Sequence, residues 1–304
     1  MKSITSKLPH IGTTIFTKMS KLAQEHKAIN LSQGFPNFEA NPKLLNLASN
    51  ALKNHHNQYA PLAGLPSLTD AVIQKTNKLY RSDYSTEEVC ITAGATQAIF
   101  TSLAASIHSG DEVIVFKPAY DCYEPAVELF GGKPIPIEMK APNYEIDWNE
   151  VEAKITSKTK MIMINSPHNP TGKVFTEADM QALIQLVKNT NIFILSDEVY
   201  EHMTFDGRPH LSVAKYPELR QRSFLTASFG KTFHVTGWKL GYVLAPKMLM
   251  KEFKKIHQYN VFCVNHPIDN FSSLFECFIS FRKTKSNHFS ALLVFVENRN
   301  RNGR

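Results

Sequence analysis

Short apolar runs alternate with segments of helical periodicity between residues 88 and 250. Strands alternating with helices predict an α/β fold with a mostly parallel sheet in two or three layers. Thr176 followed by Asp179 predicts a capping box at the start of one helix. The apolar runs predict six strands: Glu88–Thr92, Glu112–Phe116, Met161–Asn165, Ile192–Leu195, Ser223–Ala227 and Gly241–Leu244.

The charge distribution argues against a nucleic-acid partner. The chain has 34 Lys and Arg against 27 Asp and Glu, a formal net charge of +7. Residues 251–304 contain nine Lys or Arg and four Asp or Glu, so the first 250 residues carry only about +2. No basic stripe of the kind that tracks a phosphate backbone is present, and we expect no nucleic acid.

Cysteine usage and hydropathy predict a reduced protein without a membrane span. The four cysteines form no Cys-x-x-Cys pair, so neither a metal site nor a redox motif is expected. Residues 1–10 lack the apolar core of a secretory signal. No apolar run reaches the roughly 18 residues that a membrane helix needs. These features predict a cytoplasmic location.

Polar segments follow four of the predicted strands. They are Gly94–Thr96, which opens a helix, Asn165–Gly172, Asp197–Tyr200 and Ser228–Lys231. Ligands of parallel α/β sheets bind at the carboxyl ends of the strands. The sequence therefore predicts that these four segments meet around one ligand.

The segment from Ser228 to Lys239 suggests an aldehyde cofactor that carries a phosphate. Lys231 lies among Ser, Gly and Thr, where its amine could form a Schiff base. The Ser228 hydroxyl, the Lys239 ammonium and the free N–H groups of the helix starting near Thr96 suit a phosphate. Nearby Lys239 and partial desolvation should lower the pKa of Lys231. Pyridoxal phosphate needs this combination of groups.

Four further side chains suit the ring of that cofactor. Asp197 can accept a protonated ring nitrogen, and its charge favours the electron-withdrawing pyridinium. Tyr200 and Asn169 can hydrogen-bond the ring hydroxyl oxygen, and Tyr120 can stack on the ring face. A nucleotide-binding P-loop ending at Gly230 is excluded, because the Gly required five positions earlier is Leu225.

The motifs together resemble the fold-type-I, class I/II pyridoxal-phosphate aminotransferases over residues 5–267. The segments that carry this resemblance are Asn169–Gly172, Asp197–Tyr200, Ser228–Lys231 and Gly237–Tyr242. Three more are similar to the methionine/kynurenine aminotransferase branch: Leu31–Pro36, Gln58–Pro61 with Gly64, and Pro118–Pro125. The family fold is a three-layer, mostly parallel large domain with a smaller second domain.

The resemblance implies a role for each residue around the cofactor ring. Lys231 would be the Schiff-base lysine and proton shuttle, and Asp197 would pair with the pyridine nitrogen. Asn169 and Tyr200 would contact the ring oxygen, with Tyr200 also counted among the catalytic residues and Asn169 among those that contact the substrate. Tyr120 would stack on the ring.

The phosphate and the substrate carboxylate would be held by other residues. The resemblance assigns the phosphate to Ala95, Thr96, Ser228 and Lys239. Tyr59 would reach the phosphate of a neighbouring subunit, which implies a homodimer. Gly34 would contact the substrate carboxylate through its backbone.

The expected activity is transamination between an L-amino acid of methionine or aromatic type and a 2-oxo acid. A pyridoxal-phosphate C–S β-lyase on the same scaffold is the alternative, because it shares the Lys231 and Asp197 chemistry. Release of pyruvate and ammonia without a 2-oxo acid acceptor would favour the lyase.

The last residues depart from the family pattern after Asn265–Ile268. Family members continue into a small domain that supplies a carboxylate-binding arginine, and the arginines after this point have no matching context: Arg282, Arg299, Arg301 and Arg304. We therefore predict an N-terminal arm with part of the small domain at 1–44, a cofactor-binding large domain at 45–250 and an incomplete small domain with a divergent tail at 251–304. A truncated, cofactor-binding remnant that is poorly soluble and turns over slowly is a further alternative.

Overall fold

The computed structural model describes residues 4–34, 38–54 and 56–269. Residues 270–304 of the tail, with the four arginines named above, lie outside the described residues. The predictions about the tail, and the division at residues 44 and 250, therefore remain predictions.

Within the described residues, seven strands form one mixed sheet. The strands are β1 (Val89–Thr92), β2 (Glu112–Lys117), β3 (Lys133–Glu138), β4 (Thr159–Asn165), β5 (Phe193–Asp197), β6 (Ser223–Ser228) and β7 (Gly241–Leu244). Their order is β1-β7-β6-β5-β4-β2-β3. β7 runs antiparallel to β1 and β6, while the four other neighbouring pairs are parallel. The mostly parallel sheet and all six predicted strands are confirmed, each within two residues at its ends.

The seventh strand, β3, contains two prolines and was not predicted from the sequence. Pro134 and Pro136 pair in register with Val113 and Val115 of β2. β3 is the edge strand, so one side of it has no strand partner. Proline lacks an N–H and is tolerated in an edge strand where that position faces away from the neighbouring strand. Because the two prolines are two residues apart, the backbone nitrogen of each faces the same, unpaired side.

Eleven α-helices are present in the described residues. Their bounds are α1 Ile15–Glu25, α2 Pro42–Lys53, α3 Pro66–Tyr80, α4 Gly94–Ser106, α5 Tyr123–Leu129, α6 Trp148–Lys154, α7 Glu177–Val187, α8 Pro217–Arg220, α9 Phe229–Thr232, α10 Lys247–Asn260 and α11 His266–Asp269. The predicted capping box is confirmed at α7: the Thr176 hydroxyl accepts from the Asp179 N–H at 3.2 Å, and the Asp179 carboxylate accepts from the Thr176 N–H at 2.8 Å. No helix in this part of the chain is long and apolar enough to cross a membrane.

Apolar side chains cover both faces of the sheet, which gives three layers. Along β2, Ile114 packs in one buried cluster, while Val113 and Val115 pack in the other. Successive side chains of a strand point to opposite faces, so a strand that is apolar throughout serves two cores. The first cluster includes residues of α2, α3, α6 and α7, and the second includes residues of α4, α5 and α10. The three-layer prediction is therefore confirmed.

Candidate active site

The predicted strand ends lie along one edge of the sheet, which is formed by the carboxyl ends of the parallel strands. Asn165 and Asp197 are paired in register at the ends of β4 and β5. Gly241, the first residue of β7, pairs with Thr92 on one side and Ser228 on the other. Because β7 runs antiparallel, its beginning lies beside the ends of β1 and β6. The topology thus brings the four polar segments to one edge and places Lys239 there as well.

Gly241 allows the start of β7 to press against helix α4. A Cβ atom at this position would lie 2.6 Å from the Ala227 carbonyl oxygen and 2.9 Å from the Ala95 nitrogen. Real Cβ atoms do not approach so closely, so only glycine fits without displacing the backbone. This packing fixes the distance between β6 and the amino end of α4.

The amino end of α4 and the Lys239 side chain form a positively charged corner. The residue before the helix, Ala93, makes no side-chain cap hydrogen bond. A Cβ atom at Gly94 would lie 3.5 Å from both Cε and Nζ of Lys239, so the ammonium lies over the first turn. Free N–H groups and an ammonium at the positive end of the helix dipole favour an anion.

The other three predicted phosphate ligands are Ala95, Thr96 and Ser228. Ala95 is buried and Thr96 is exposed, both in the first turn of α4. The Ser228 hydroxyl accepts a hydrogen bond from the Gly230 N–H at 3.1 Å, so its own proton can be donated to a ligand. The residues and their donors fit a phosphate.

Asp197 ends β5 with its carboxylate buried, at 4% exposure. Its Oδ2 accepts from the Tyr123 hydroxyl at 2.6 Å, and its Oδ1 accepts from the Val199 N–H at 3.2 Å. Burial raises the pKa of Asp197 to about 6, although both hydrogen bonds and the charge of Lys231 oppose that rise. The carboxylate is therefore poorly solvated and would gain strongly from a cationic partner.

Lys231 lies in the short helix α9, half-buried, with Nζ 5.5 Å from the centroid of the Tyr200 ring. Burial lowers the pKa of Lys231, and Lys239 acts in the same direction, while Asp197 opposes them. The predicted lowering is confirmed, with desolvation as its largest cause. A larger fraction of neutral amine makes this lysine a better nucleophile than a solvated one.

Asn169 is held on the same edge by a chain of hydrogen bonds. Its N–H donates to Asn165 Oδ1 at 2.7 Å, and Asn165 Nδ2 donates to the Asp197 carbonyl oxygen at 2.8 Å. Asn165 is buried, so it ties the loop after β4 to the end of β5. Sequence reasoning gave Asn165 no role, and only the pairing of β4 with β5 reveals it.

Tyr120 is half-buried, and its ring meets that of Tyr123 edge-on, with centroids 5.7 Å apart. Burial raises the pKa of Tyr120, and the Thr96 side chain in the first turn of α4 opposes that rise. The ring therefore lies beside Tyr123, the partner of Asp197. Its stacking role stays a prediction.

Gly34 and Tyr59 lie at the margins of this arrangement. Gly34 is exposed at the end of a described segment, and His234 Nε2 donates to the nearby Phe38 carbonyl oxygen at 2.6 Å. That contact brings Phe38 close to His234, two residues after the end of α9. Tyr59 is 82% exposed and packs its ring against Phe262. Both predicted roles stay predictions.

Sequence reasoning missed Tyr123 as the partner of Asp197. It lies three residues after Tyr120 in the chain, in a segment already noted for its family resemblance, but nothing local points its hydroxyl at residue 197. Glu198 next to Asp197 is engaged elsewhere: its carboxylate accepts from the Ser196 hydroxyl at 2.8 Å and contacts His210 at 2.8 Å. The two adjacent acids therefore have different surroundings.

A buried ion pair supports the loop that carries Tyr200. The Glu201 carboxylate contacts the Lys75 ammonium and accepts hydrogen bonds from the hydroxyls of Tyr80 at 2.7 Å and Tyr242 at 3.0 Å. Burial raises the pKa of Glu201, but the charge and hydrogen bond of Lys75, with His202 and His210, hold that pKa below its usual range. The pair links α3, β7 and the loop after β5. In the described ranges, no group of three or more His, Cys, Asp or Glu side chains is placed to hold a metal ion.

A family model described as aminotransferase class I and II matches residues 26–267. Methionine aminotransferase of Escherichia coli (strain K12) is 45% identical over 263 residues, which cover 86% of this chain and 68% of that protein. Human kynurenine–oxoglutarate transaminase 1 is 34% identical over 270 residues, which cover 84% of this chain and 64% of that protein. The chain thus spans about two thirds of the length of these relatives.

Solved structures agree with the sequence relatives. A structure from Escherichia coli, reported to identify a methionine aminotransferase function, matches with a TM-score of 0.89 and 40% identity over 99% of this chain and 77% of that one. N-succinyldiaminopimelate aminotransferase from Mycobacterium tuberculosis matches with a TM-score of 0.88 and 31% identity over 92% of this chain and 74% of that one. Lys231, Asp197 and the amino end of α4, which lie at one edge of the sheet, agree with these comparisons. This chain belongs to the class I and II aminotransferases, in the branch of the methionine and kynurenine aminotransferases.

Proposed function

We propose that this protein binds pyridoxal phosphate and transfers an amino group between an L-amino acid of methionine or aromatic type and a 2-oxo acid. One observation carries the proposal: the half-buried Lys231 amine and the buried Asp197 carboxylate lie at the same sheet edge as the open amino end of α4. The names of the relatives support the substrate class.

The phosphate would be held at the charged corner. Ala95 and Thr96 offer the N–H groups of the first helical turn, Ser228 offers its hydroxyl proton and Lys239 offers a full positive charge. A phosphate dianion would offset the repulsion between the ammonium and the positive helix end. We infer that this corner sets much of the cofactor affinity.

The remaining residues would orient the cofactor ring and move protons. Pyridoxal phosphate supplies an aldehyde and a pyridine ring that withdraws electrons when protonated. Asp197 would hold its negative charge against that ring nitrogen. Tyr200 and Asn169 would fix the ring oxygen, and Tyr120 would cover one ring face. Lys231 Nζ would hold the aldehyde carbon and would carry a proton to and from the substrate α-carbon, which its lowered pKa permits.

Assembly and location follow from the same family membership. We propose a homodimer in the cytoplasm, in which the exposed Tyr59 reaches the phosphate of the neighbouring copy. Gly34 would contact the substrate carboxylate through its backbone. We also propose the division into an arm at 1–44, a cofactor-binding domain at 45–250 and part of a second domain from residue 251.

A C–S β-lyase on the same scaffold is not favoured, because the relatives reported above are transaminases. The lyase and the transaminase would share Lys231 and Asp197. Their products differ: the lyase releases pyruvate and ammonia without an acceptor.

The covalent lysine provides the direct test. Purified protein is mixed with pyridoxal phosphate, reduced with borohydride, digested and analysed by mass spectrometry. We expect the adduct on Lys231 and none in Lys231→Ala, while Lys239→Ala retains the adduct at higher cofactor concentration. An adduct on a different lysine in Lys231→Ala would overturn the assignment. The amino-group acceptor is then tested with L-methionine and a 2-oxo acid, with ammonia and pyruvate measured in parallel.

A further inference from the structure

We propose that Tyr123 is a positioning residue, whose hydroxyl orients the Asp197 carboxylate and prepares it to pair with the ring nitrogen of the bound cofactor. The inference rests on the proposed function. It concerns a residue that sequence reasoning left without a role.

The contact is short and fully enclosed. The Tyr123 hydroxyl donates to Asp197 Oδ2 at 2.6 Å, and the two residues are 3% and 4% exposed. An O–H donor to a carboxylate at this distance is a charge-assisted hydrogen bond, roughly twice as strong as a neutral one. Water has little access, so the phenol takes the place of the solvent that a surface carboxylate would have.

The two oxygens of the carboxylate are held by different elements. Oδ1 accepts from the Val199 N–H at 3.2 Å within the loop after β5, and Oδ2 accepts from the first residue of α5. Two donors on two oxygens fix the rotation of the carboxylate plane. Each oxygen has a second acceptor site, so a ligand N–H can still bind.

The groups around Asp197 make its ionisation depend on the Tyr123 hydroxyl. Burial and the adjacent Glu198 both favour the protonated carboxyl of Asp197. Lys231 on α9 and the Tyr123 hydroxyl favour the carboxylate. If the Lys231 charge is lost when its amine binds the cofactor aldehyde, Tyr123 becomes the main remaining side chain that favours the ionised form of Asp197.

A purely structural role for Tyr123 would reside in its ring. The ring belongs to the buried cluster on the α4 and α5 side of the sheet. Tyr123→Phe keeps that ring and removes only the hydroxyl. Tyr84→Phe is the matched control, since Tyr84 is also buried, at 4% exposure, and its hydroxyl has no hydrogen-bond partner in the described structure.

The test compares two ligands on the full-length protein. One is pyridoxal phosphate, and the other is an analogue with carbon in place of the ring nitrogen. Tyr123→Phe should weaken pyridoxal phosphate at pH 7 by about tenfold or more, the scale of one charged hydrogen bond. The analogue should bind wild type, Tyr123→Phe and Tyr84→Phe alike, because it offers no nitrogen for Asp197. The acid limb of the pyridoxal phosphate affinity should also move to higher pH in Tyr123→Phe alone.

The outcomes separate the positioning role from the proposed function. Failure of wild type to bind pyridoxal phosphate would refute the function itself. Wild-type binding with equal loss for both ligands in Tyr123→Phe would overturn the positioning role and leave a packing role. If Tyr123→Phe is too unstable to study, Tyr123→Phe combined with Asp197→Asn provides a second measure. We expect the double variant to bind no more weakly than Asp197→Asn, and weaker binding by the double variant would contradict the proposal.

Discussion

Replacing Asp197 by Asn should stabilise the cofactor-free protein at neutral and alkaline pH. The side chain is buried, and burial raises its pKa from 3.8 to about 6. A carboxyl whose folded pKa exceeds its unfolded pKa binds its proton more tightly in the folded state. Its contribution to stability is therefore present at low pH, declines as the pH rises from about 4 to about 6, and stays lost above that window.

The magnitude follows from the size of the shift. A rise of about two pKa units, at 1.36 kcal/mol per unit, corresponds to about 3 kcal/mol. Asn carries no titrating proton and has nearly the same volume. The free energy of unfolding of Asp197→Asn, relative to wild type, should thus improve by about 3 kcal/mol between pH 4 and pH 8. Any loss of the Tyr123 hydrogen bond acts at every pH and does not change this difference.

Urea unfolding of the cofactor-free proteins, followed by tryptophan fluorescence at pH 4, 5, 6, 7 and 8, measures the effect. Glu198→Gln gives a comparison at an adjacent buried acid that is engaged by Ser196 and His210. Saturating pyridoxal phosphate should reverse the order at pH 8, because the wild-type carboxylate then has a cationic partner. Parallel stability curves for wild type and Asp197→Asn across the whole range would refute the reasoning.

Three further changes test other parts of the structure. Lys75→Met leaves the Glu201 carboxylate buried without its cation and should lower the free energy of unfolding in urea by about 3–5 kcal/mol. Adding Glu201→Leu should restore part of that loss. A Lys75→Met variant as stable as wild type would contradict a stabilising role for the buried pair. Lys239→Ala should weaken pyridoxal phosphate binding about 10- to 150-fold in a fluorescence titration, since a charged hydrogen bond is worth about 1.5–3 kcal/mol. Phosphate-free pyridoxal should lose much less affinity, and an equal loss for both ligands would contradict the phosphate role of Lys239. Thr176→Ala removes the cap of α7 and should lower the free energy of unfolding by about 1 kcal/mol. The loss should appear as a lower urea midpoint with an unchanged slope. An unchanged midpoint would show that the cap does not stabilise the protein.

Local patterns in the sequence were sufficient for much of the fold and for the main candidate residues. Strands such as Met161–Asn165 are recognisable because a doubly buried strand must be apolar on both faces. The Thr176 capping box is visible because its two partners are three residues apart. Parallel connections place the carboxyl ends of strands together, so the strand-end positions of Asp197 and Lys231 already predict a shared site.

The tertiary structure decided the contacts between distant elements. The pairing of Tyr123 with Asp197 joins residues 74 apart in the chain, and that of Lys75 with Glu201 joins residues 126 apart. The antiparallel course of β7, which brings Lys239 to the amino end of α4, also has no local signal. Whether a buried polar group is stable depends on the partner that packing delivers to it, and that partner is set by the arrangement of the whole sheet and its helices rather than by neighbouring residues.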